Sequence, residues 1–154
     1  MFKLKNKKNK KCLLCGNKKL KSIFSLGSLF ISNFVSKQNV KKGLKAPLKL
    51  MYCHSCTLIQ LSHTAPQEIM YKRYYWYKSG VTQIMRNGLK DLFKSSLKYV
   101  KLHKDDLVLD IGANDGTLLK FYKSNGLKTI GCEPAQNLKN ELKSNCKYII
   151  NDFW

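Results

Sequence analysis

The spacing of apolar residues changes character along the chain. Between residues 22 and 35, short apolar runs (SIF, LFI and FV) are broken by Gly27 and Asn33, a rhythm that predicts short strands and turns. APLKLMYC (46–53) alternates enough for a strand, and TLIQLS (57–62) reads as another. From Val81 the period lengthens. Val81, Met85, Leu89, Leu92, Leu97 and Val100 recur at steps of three to five, predicting a helix over 82–100 whose polar face carries Lys90, Lys94 and Lys98. Beyond it, strand-like and helix-like segments take turns. DDLVLDI predicts a strand at 107–111, followed by a helix at 116–124 that ends at Gly126. LKTIGCEP gives a second strand ending in Glu133, then a helix near 135–143, then a third strand in KYIINDF. Such alternation predicts a parallel sheet with ligands at the carboxyl ends of its strands.

Composition narrows the class. The chain has 154 residues and is 44% hydrophobic, enough for a packed core and against wholesale disorder. The basic start, MFKLKNKKNKK, runs into CLLCGN and lacks the apolar middle region of a signal peptide. No window approaches the roughly 18 apolar residues of a membrane span, so the expected setting is cytoplasmic with no membrane partner. Residues 1–11 are expected to form a disordered basic tail. The formal charge of +20 favours attraction to polyanions, yet the basic residues are 27 Lys and only 2 Arg (Arg73 and Arg86). Sequence-reading nucleic-acid surfaces favour the planar fork of Arg, so the lysines read as a solvated surface with no specific nucleic-acid partner.

Six cysteines in a lysine-rich chain without a signal point to metal rather than disulfides. Cys12-Leu-Leu-Cys15 and Cys53-His-Ser-Cys56 are both C-x-x-C, and four thiolates in two pairs suit tetrahedral Zn²⁺. Gly16 follows the first pair, where φ > 0 lets the chain turn under the metal; Thr57 stands in that place after the second. The 37 residues between the pairs exceed a compact zinc ribbon and must carry structure of their own. A structural zinc contributes roughly 10–16 kcal/mol, which a module so poor in apolar mass needs. A redox dithiol is disfavoured, since such motifs come singly in a βα context. His54 and His63 read as loop residues, Cys132 and Cys146 as ordinary packing.

The first predicted turn of the parallel sheet reads DIGANDG (110–116). The dinucleotide fingerprint G-x-G-x-x-G, started at Gly112, fails at Asn114 and Thr117. The pattern D-x-G-x-G-x-G places Asp110, Gly112 and Gly116 correctly and substitutes only Asn114, a residue that enters the left-handed region readily. That spacing resembles motif I of class I S-adenosyl-L-methionine-dependent methyltransferases. The resemblance implies cofactor contacts from the loop residues Gly112, Asn114, Asp115 and Gly116. It implies an ammonium-orienting role for Asp110, ribose hydroxyls on Glu133, and the adenine amino group near Asp152. Upstream, EIMYKRYYWYKSG packs Tyr71, Tyr74, Tyr75, Trp76 and Tyr77 into seven positions, either core filler or the wall of a site.

In order along the chain, CLLCGN, SLGSLFISNFV, APLKLMYCHSCTLIQL, YYWYKSG, LDIGANDGTLL and GCEPAQN together resemble the sugar C-methyltransferase family. Its members act on nucleotide-linked keto-deoxysugars. The resemblance covers nearly everything after residue 11 and implies an α/β fold: a small zinc-binding N-terminal module plus the first half of a Rossmann-like parallel sheet. The implied organisation is a basic tail (1–11), a zinc-binding domain (12–70), an aromatic segment with a linking helix (71–100), and the start of a methyltransferase domain (101–154). The implied reaction removes a proton beside a ketone and lets the enolate attack the cofactor's methyl group. The family's Y-x-Y-x-S wall maps onto Tyr75, Tyr77 and Ser79, while a second serine common after it is Gly80 here. A full methyltransferase sheet has seven strands and this chain reaches the third, so the expectation is a fragment, inactive alone, with a separately encoded C-terminal part as partner. Two other readings stay open: a zinc-ribbon RNA methyltransferase, favoured by the charge, and a non-catalytic zinc-stabilised binding module.

Overall fold

The computed structural model describes residues 6–31, 36–38 and 43–154, which divide into two compact units, Met1–Met70 and Tyr71–Trp154. The turn expected at Asn33 lies outside the described residues.

The first unit is built from antiparallel strands. Strand β1 (Lys7–Lys8) is followed by β2 (Leu20–Phe30), β3 (Lys45–Cys53), β4 (Ile59–Leu61) and β5 (His63–Thr64). β2, β3 and β4 form one sheet in that order, and β1 pairs with β5. The short strands and turn expected around Gly27 are instead one eleven-residue strand with interruptions in register. Between Ser25 and Ser28 the strand carries one residue more than the facing stretch from Lys49 to Pro47, and Gly27 sits there at φ 76°. A left-handed glycine inside a bulge resembles a turn in sequence but lets pairing resume beyond it. Residues 6–11 also depart from the expected disordered tail. Asn9 donates its side-chain amide to Leu61 O and Thr64 Oγ1, its backbone N–H goes to Ser62 O, and Asn6 donates to Lys45 O. Asparagines between the lysines tie this segment down, which a charge-only reading overlooks.

The second unit opens with helix α1 (Gln83–Tyr99), capped by Thr82, whose hydroxyl accepts from Met85 N at 3.3 Å. A βαβαβ run follows: β6 (Leu107–Ile111), α2 (Thr117–Ser124), β7 (Lys128–Cys132), α3 (Lys139–Asn145) and β8 (Tyr148–Ile150). A 3-10 turn at Gln136–Leu138 precedes α3, which starts and ends later than the expected 135–143. The three strands are parallel in the order β6-β7-β8, as in half of a Rossmann-like sheet.

One face of that sheet is packed. Leu119 of α2 and Leu142 of α3 are fully buried, clustered with Ala113 and Cys146 against Val108 and Ile149. The helices come this close because Gly131 of β7 has no side chain: a Cβ there would lie 2.5 Å from Leu142 Cδ1 and 3.1 Å from Leu119 Cδ1. A second cluster joins Phe93 of α1 to Tyr122 of α2 and to Leu127, and Ser96 Oγ meets Tyr122 Oη at 2.8 Å. The opposite face exposes Leu107, Leu109 and Ile111 of β6 together with Tyr148 and Ile150 of β8. Parallel sheets are ordinarily covered on both faces, so this apolar face is unusual.

Candidate functional site

The metal centre of the first unit follows from sheet register. Leu20 of β2 faces Cys53 of β3, and the Cys53–Cys56 pair sits in the turn joining β3 to β4. Pairing β2 with β3 therefore carries Cys12 and Cys15, just upstream, to the second pair. The two knuckles are copies of one another. Cys12 N donates to Asn17 O and Gly16 N to Cys12 O; likewise Cys53 N donates to Leu58 O and Thr57 N to Cys53 O. The turn needs φ > 0 at its fifth residue, and Gly16 (74°) and Thr57 (62°) both supply it. Thr57 does so despite its β-branch, with Oγ1 donating to Cys56 O at 2.7 Å.

All four sulfurs lie within 4.8 Å of one another, with Cys12 to Cys56 at 3.5 Å and Cys15 to Cys53 at 3.6 Å. A tetrahedral zinc with bonds of about 2.3 Å sets its sulfurs about 3.8 Å apart, so the donor set fits Zn²⁺. Neighbouring thiols cannot all ionise by themselves. The backbone N–H groups of Cys15 and then Leu14 outweigh burial and draw Cys12 down to about 6. At Cys56 the Leu58 N–H pulls down, but burial and the other three thiols push it up to about 12. A divalent cation resolves that conflict by holding all four as thiolates. Among the described residues the cluster contains cysteines only: His54 is exposed, and His63 lies half-buried in β5 with Nδ1 2.9 Å from Ser62 Oγ. Cys132 and Cys146 are buried in the second unit. Gln60 was not anticipated. Buried on β4, it accepts from Leu13 N at 2.8 Å and donates to Lys11 O at 3.2 Å, bracing the first knuckle. Its only sequence signal is a polar residue inside the apolar TLIQL.

The glycine loop of the second unit leaves β6 and enters α2. Gly112 (φ 79°), Asn114 (53°) and Gly116 (76°) all take the left-handed region, so Asn114 does occupy the middle-glycine turn. A Cβ on Gly112 would meet nothing within 4 Å, whereas one on Gly116 would lie 2.9 Å from Asn145 Cβ. Gly112 therefore faces open space, and Gly116 is pinned against α3. Asp110, at the end of β6, is half-buried, and among the described residues its carboxylate has no hydrogen-bond partner. Burial, then the charge of Glu133, raises its pKa. Glu133 lies just past β7 and is buried, its Oε2 accepting from Asn114 N at 3.0 Å and its Oε1 from Ala135 N at 2.9 Å. Asp152, beyond β8, is exposed; Lys72 Nζ at 2.7 Å and the Phe153 N–H hold its pKa down.

The tyrosine segment lies against this loop: Tyr71 belongs to a π-helical turn at Glu68–Lys72, and residues 74–78 follow without regular secondary structure. Tyr71, Tyr75 and Tyr77 neighbour one another, with centroids 5.8 and 6.5 Å apart, while Tyr74 packs on Trp76 at 4.6 Å. Burial, then the charges of Tyr71, Glu133 and Tyr77, raises the pKa of Tyr75. Ser79 donates its N–H to Asn114 Oδ1 at 2.9 Å. Asp115 has its oxygens engaged by Gly80 N, Thr117 N and Thr117 Oγ1. Asn137 and Arg86 also hold this segment, and neither carries a sequence signal for the role. The structure thus gathers Asp110, Gly112, Asn114, Glu133, Tyr75, Tyr77 and Ser79 around the loop, with Asp152 at the carboxyl end of the outer strand.

Known proteins resemble these two units. Residues 12–71 match the family model Methyltransf_13, a zinc binding domain. The C-methyltransferase NovU of Streptomyces niveus is 26% identical over 129 residues, which is 82% of this chain and 30% of that protein. The chain thus spans about a third of the length of the curated relative it matches. The N-terminal module matches a methyltransferase-related zinc-binding domain, and most of the chain is similar to a C-methyltransferase.

Proposed function

We propose that this chain forms the zinc module and the cofactor half of an S-adenosyl-L-methionine-dependent C-methyltransferase acting on a nucleotide-linked keto-deoxysugar. The observation that carries the reading is the pair of carboxylates, Asp110 and Glu133, flanking the open space at Gly112. A half-buried carboxylate without a partner, beside a second negative charge, suits a ligand carrying both a cation and hydroxyl donors. S-adenosylmethionine offers an ammonium for Asp110 and ribose hydroxyls for the remaining acceptor capacity of Glu133. The bound cofactor supplies an electrophilic methyl group. The chain's own residues bind and orient: Gly112 admits the ligand, and Asp110 fixes its charged end. Tyr75 and Tyr77 furnish phenols that can donate to a substrate oxygen on which charge develops. The zinc is structural, since four cysteines fill its coordination.

The bare face of the β6-β7-β8 sheet supports a further polypeptide layer as a partner, and methyl transfer is expected only once that layer is present. Calorimetry with S-adenosylmethionine tests the cofactor reading. Binding by the native chain should weaken tenfold or more in Asp110→Asn, on the scale of a lost charged hydrogen bond. A native chain that gives no heat, or a variant that binds as well, sinks it. The substrate class is tested by labelled methyl transfer to a nucleotide-linked 4-keto-sugar, with the missing layer supplied.

A second reading rests on charge. Residues 1–70 contain 14 Lys and a single acid, Glu68. An RNA methyltransferase with a zinc ribbon would use such a surface. RNA retention on filters at physiological salt would favour it, and binding that vanishes with salt would leave only composition.

A further inference from the structure

The tyrosine segment has little backbone pairing of its own, and it is held mainly by side chains. At its start Tyr75 N donates to Asn137 Oδ1 at 2.8 Å, and Asn137 Nδ2 returns a bond to Tyr75 O at 3.0 Å. In the middle Asn114 makes the same two-way grip, with Nδ2 on Tyr77 O at 3.0 Å and Oδ1 accepting from Ser79 N at 2.9 Å. At its end Gly80 N donates to Asp115 Oδ2 at 2.7 Å, and Arg86 Nη1 donates to Gly80 O and Val81 O. The approach is so close that a Cβ on Gly80 would lie 2.6 Å from Thr117 Oγ1 and 2.9 Å from Asp115 Oδ2. That proximity leaves no room for a side chain at residue 80.

Two of the gripping side chains belong to the glycine loop itself. Asn114 is buried, takes the left-handed turn, and gives its backbone N–H to Glu133 Oε2. Glycine would satisfy the turn equally well and would grip nothing. The asparagine is therefore not a tolerated stand-in for the middle glycine. One residue bonds the ribose-side carboxylate through its backbone and the aromatic wall through its side chain.

We propose that Asn114 is a positioning residue that latches the Tyr75–Gly80 strap to the cofactor loop, so that ligand in the loop sets the placement of Tyr75 and Tyr77. The inference rests on the cofactor reading for its ligand and on the geometry alone for its latch. Filling the loop would immobilise Glu133 and Asn114 together, and the strap would tighten with them.

Residue-level amide exchange on the full chain tests this. In Asn114→Gly the turn is kept and the grip is lost, so the Ser79 amide should exchange at least about tenfold faster, the gain expected from removing one hydrogen bond. Val108 and Ile130 in the sheet should be unchanged. In the native chain, saturating S-adenosylmethionine should slow Ser79 and Gly80 several-fold; in the variant Ser79 should no longer respond. Asn137→Ala, outside the loop, should accelerate the Tyr75 amide in the same way. Should Asn114→Gly fail to fold, Asn137→Ala carries the test, because it frees Tyr75 and leaves the Asn114 grip, so Ser79 should keep its full response to ligand. Unchanged Ser79 exchange in Asn114→Gly, or a sheet that loosens equally, overturns the latch, as does a Ser79 response lost in Asn137→Ala when that variant must decide. Acceleration in the variant with no cofactor binding by the native chain upholds the latch and removes the cofactor reading instead.

Discussion

The two units of this chain are held together by opposite means. Among the described residues, the first buries Cys12, Cys53, Gln60 and Ser62 and not one Leu, Ile, Phe or Val, while Ile23, Phe24, Leu26, Leu29 and Phe30 of β2 stay exposed. The second buries Leu119, Leu138 and Leu142 completely, with Leu119 and Leu142 packed against a parallel sheet. An antiparallel hairpin can form with few buried side chains if something fixes its ends, and a four-thiolate centre does so at the knuckles. A parallel sheet lacks that option, because its strands meet only through helical crossovers that must pack. The contrast bears on where polar side chains can stand. In the first unit the cysteines and Gln60 are taken up by the two knuckles. In the second, apolar packing carries the fold, and Asp110 keeps a carboxylate without a hydrogen-bond partner among the described residues.

The largest effect should come from removing the metal. Chelation or Cys53→Ser should abolish amide protection across β2–β4 while protection in β6–β8 survives, because the lost term is on the order of 10–16 kcal/mol. Joint collapse of both units would break the comparison. Next comes Leu119→Ala, expected to destabilise the second unit by about 2–5 kcal/mol through a cavity under the sheet, with zinc content unchanged. Thermal unfolding beside metal analysis checks both halves of that statement. Gly80→Ala should cost about 1–3 kcal/mol, since Asp115 and Thr117 must give up bonds to make room. Its mark would be faster exchange at Ser79 and Gly80 with β2–β4 unaffected.

Binding of a cationic cofactor should also depend on pH. Asp110 has a raised pKa when free, and an ammonium partner would lower it. Affinity should therefore be full at neutral pH and fall on acidification, beginning at a higher pH than an ordinary aspartate would give. Asp110→Asn should flatten that slope. The smallest effect is at Thr57, where glycine in the left-handed turn should stabilise the zinc module by about 1 kcal/mol. A loss of stability there would mean that the Thr57 hydroxyl bond to Cys56 O outweighs the strain.

Much of the fold was legible because its signals are local. The strand at 107–111 matched β6, Gly126 ended α2, and the helix expected over 82–100 is α1 at Gln83–Tyr99. C-x-x-C spacing identified the ligands, since two thiolates from one tight turn reach two corners of a tetrahedron. Gly27 misled because φ > 0 serves bulges as well as turns. Residues 6–11 misled because their partners on β3, β4 and β5 lie dozens of positions downstream. Around the loop, the positions of Asp110 and Glu133 at strand ends were legible, whereas Asn137 and Gln60 each act through two hydrogen bonds to backbone far away in sequence.

By itself, then, the sequence determined what periodicity and short-range spacing can encode: the alternation of strand and helix, the four thiolates, and a loop whose backbone must turn left-handed three times. Tertiary structure alone decided which polar side chains meet. DIGANDG specifies a turn, and any residue tolerant of positive φ satisfies it. That Asn114 also grips Tyr77 and Ser79 depends on the strap crossing the loop within hydrogen-bonding reach, a distance set by Gly80 and by the packing of α1 on α2. Hydrogen bonds between residues more than thirty positions apart leave no periodic trace in a single chain, because only folding brings their donors and acceptors together.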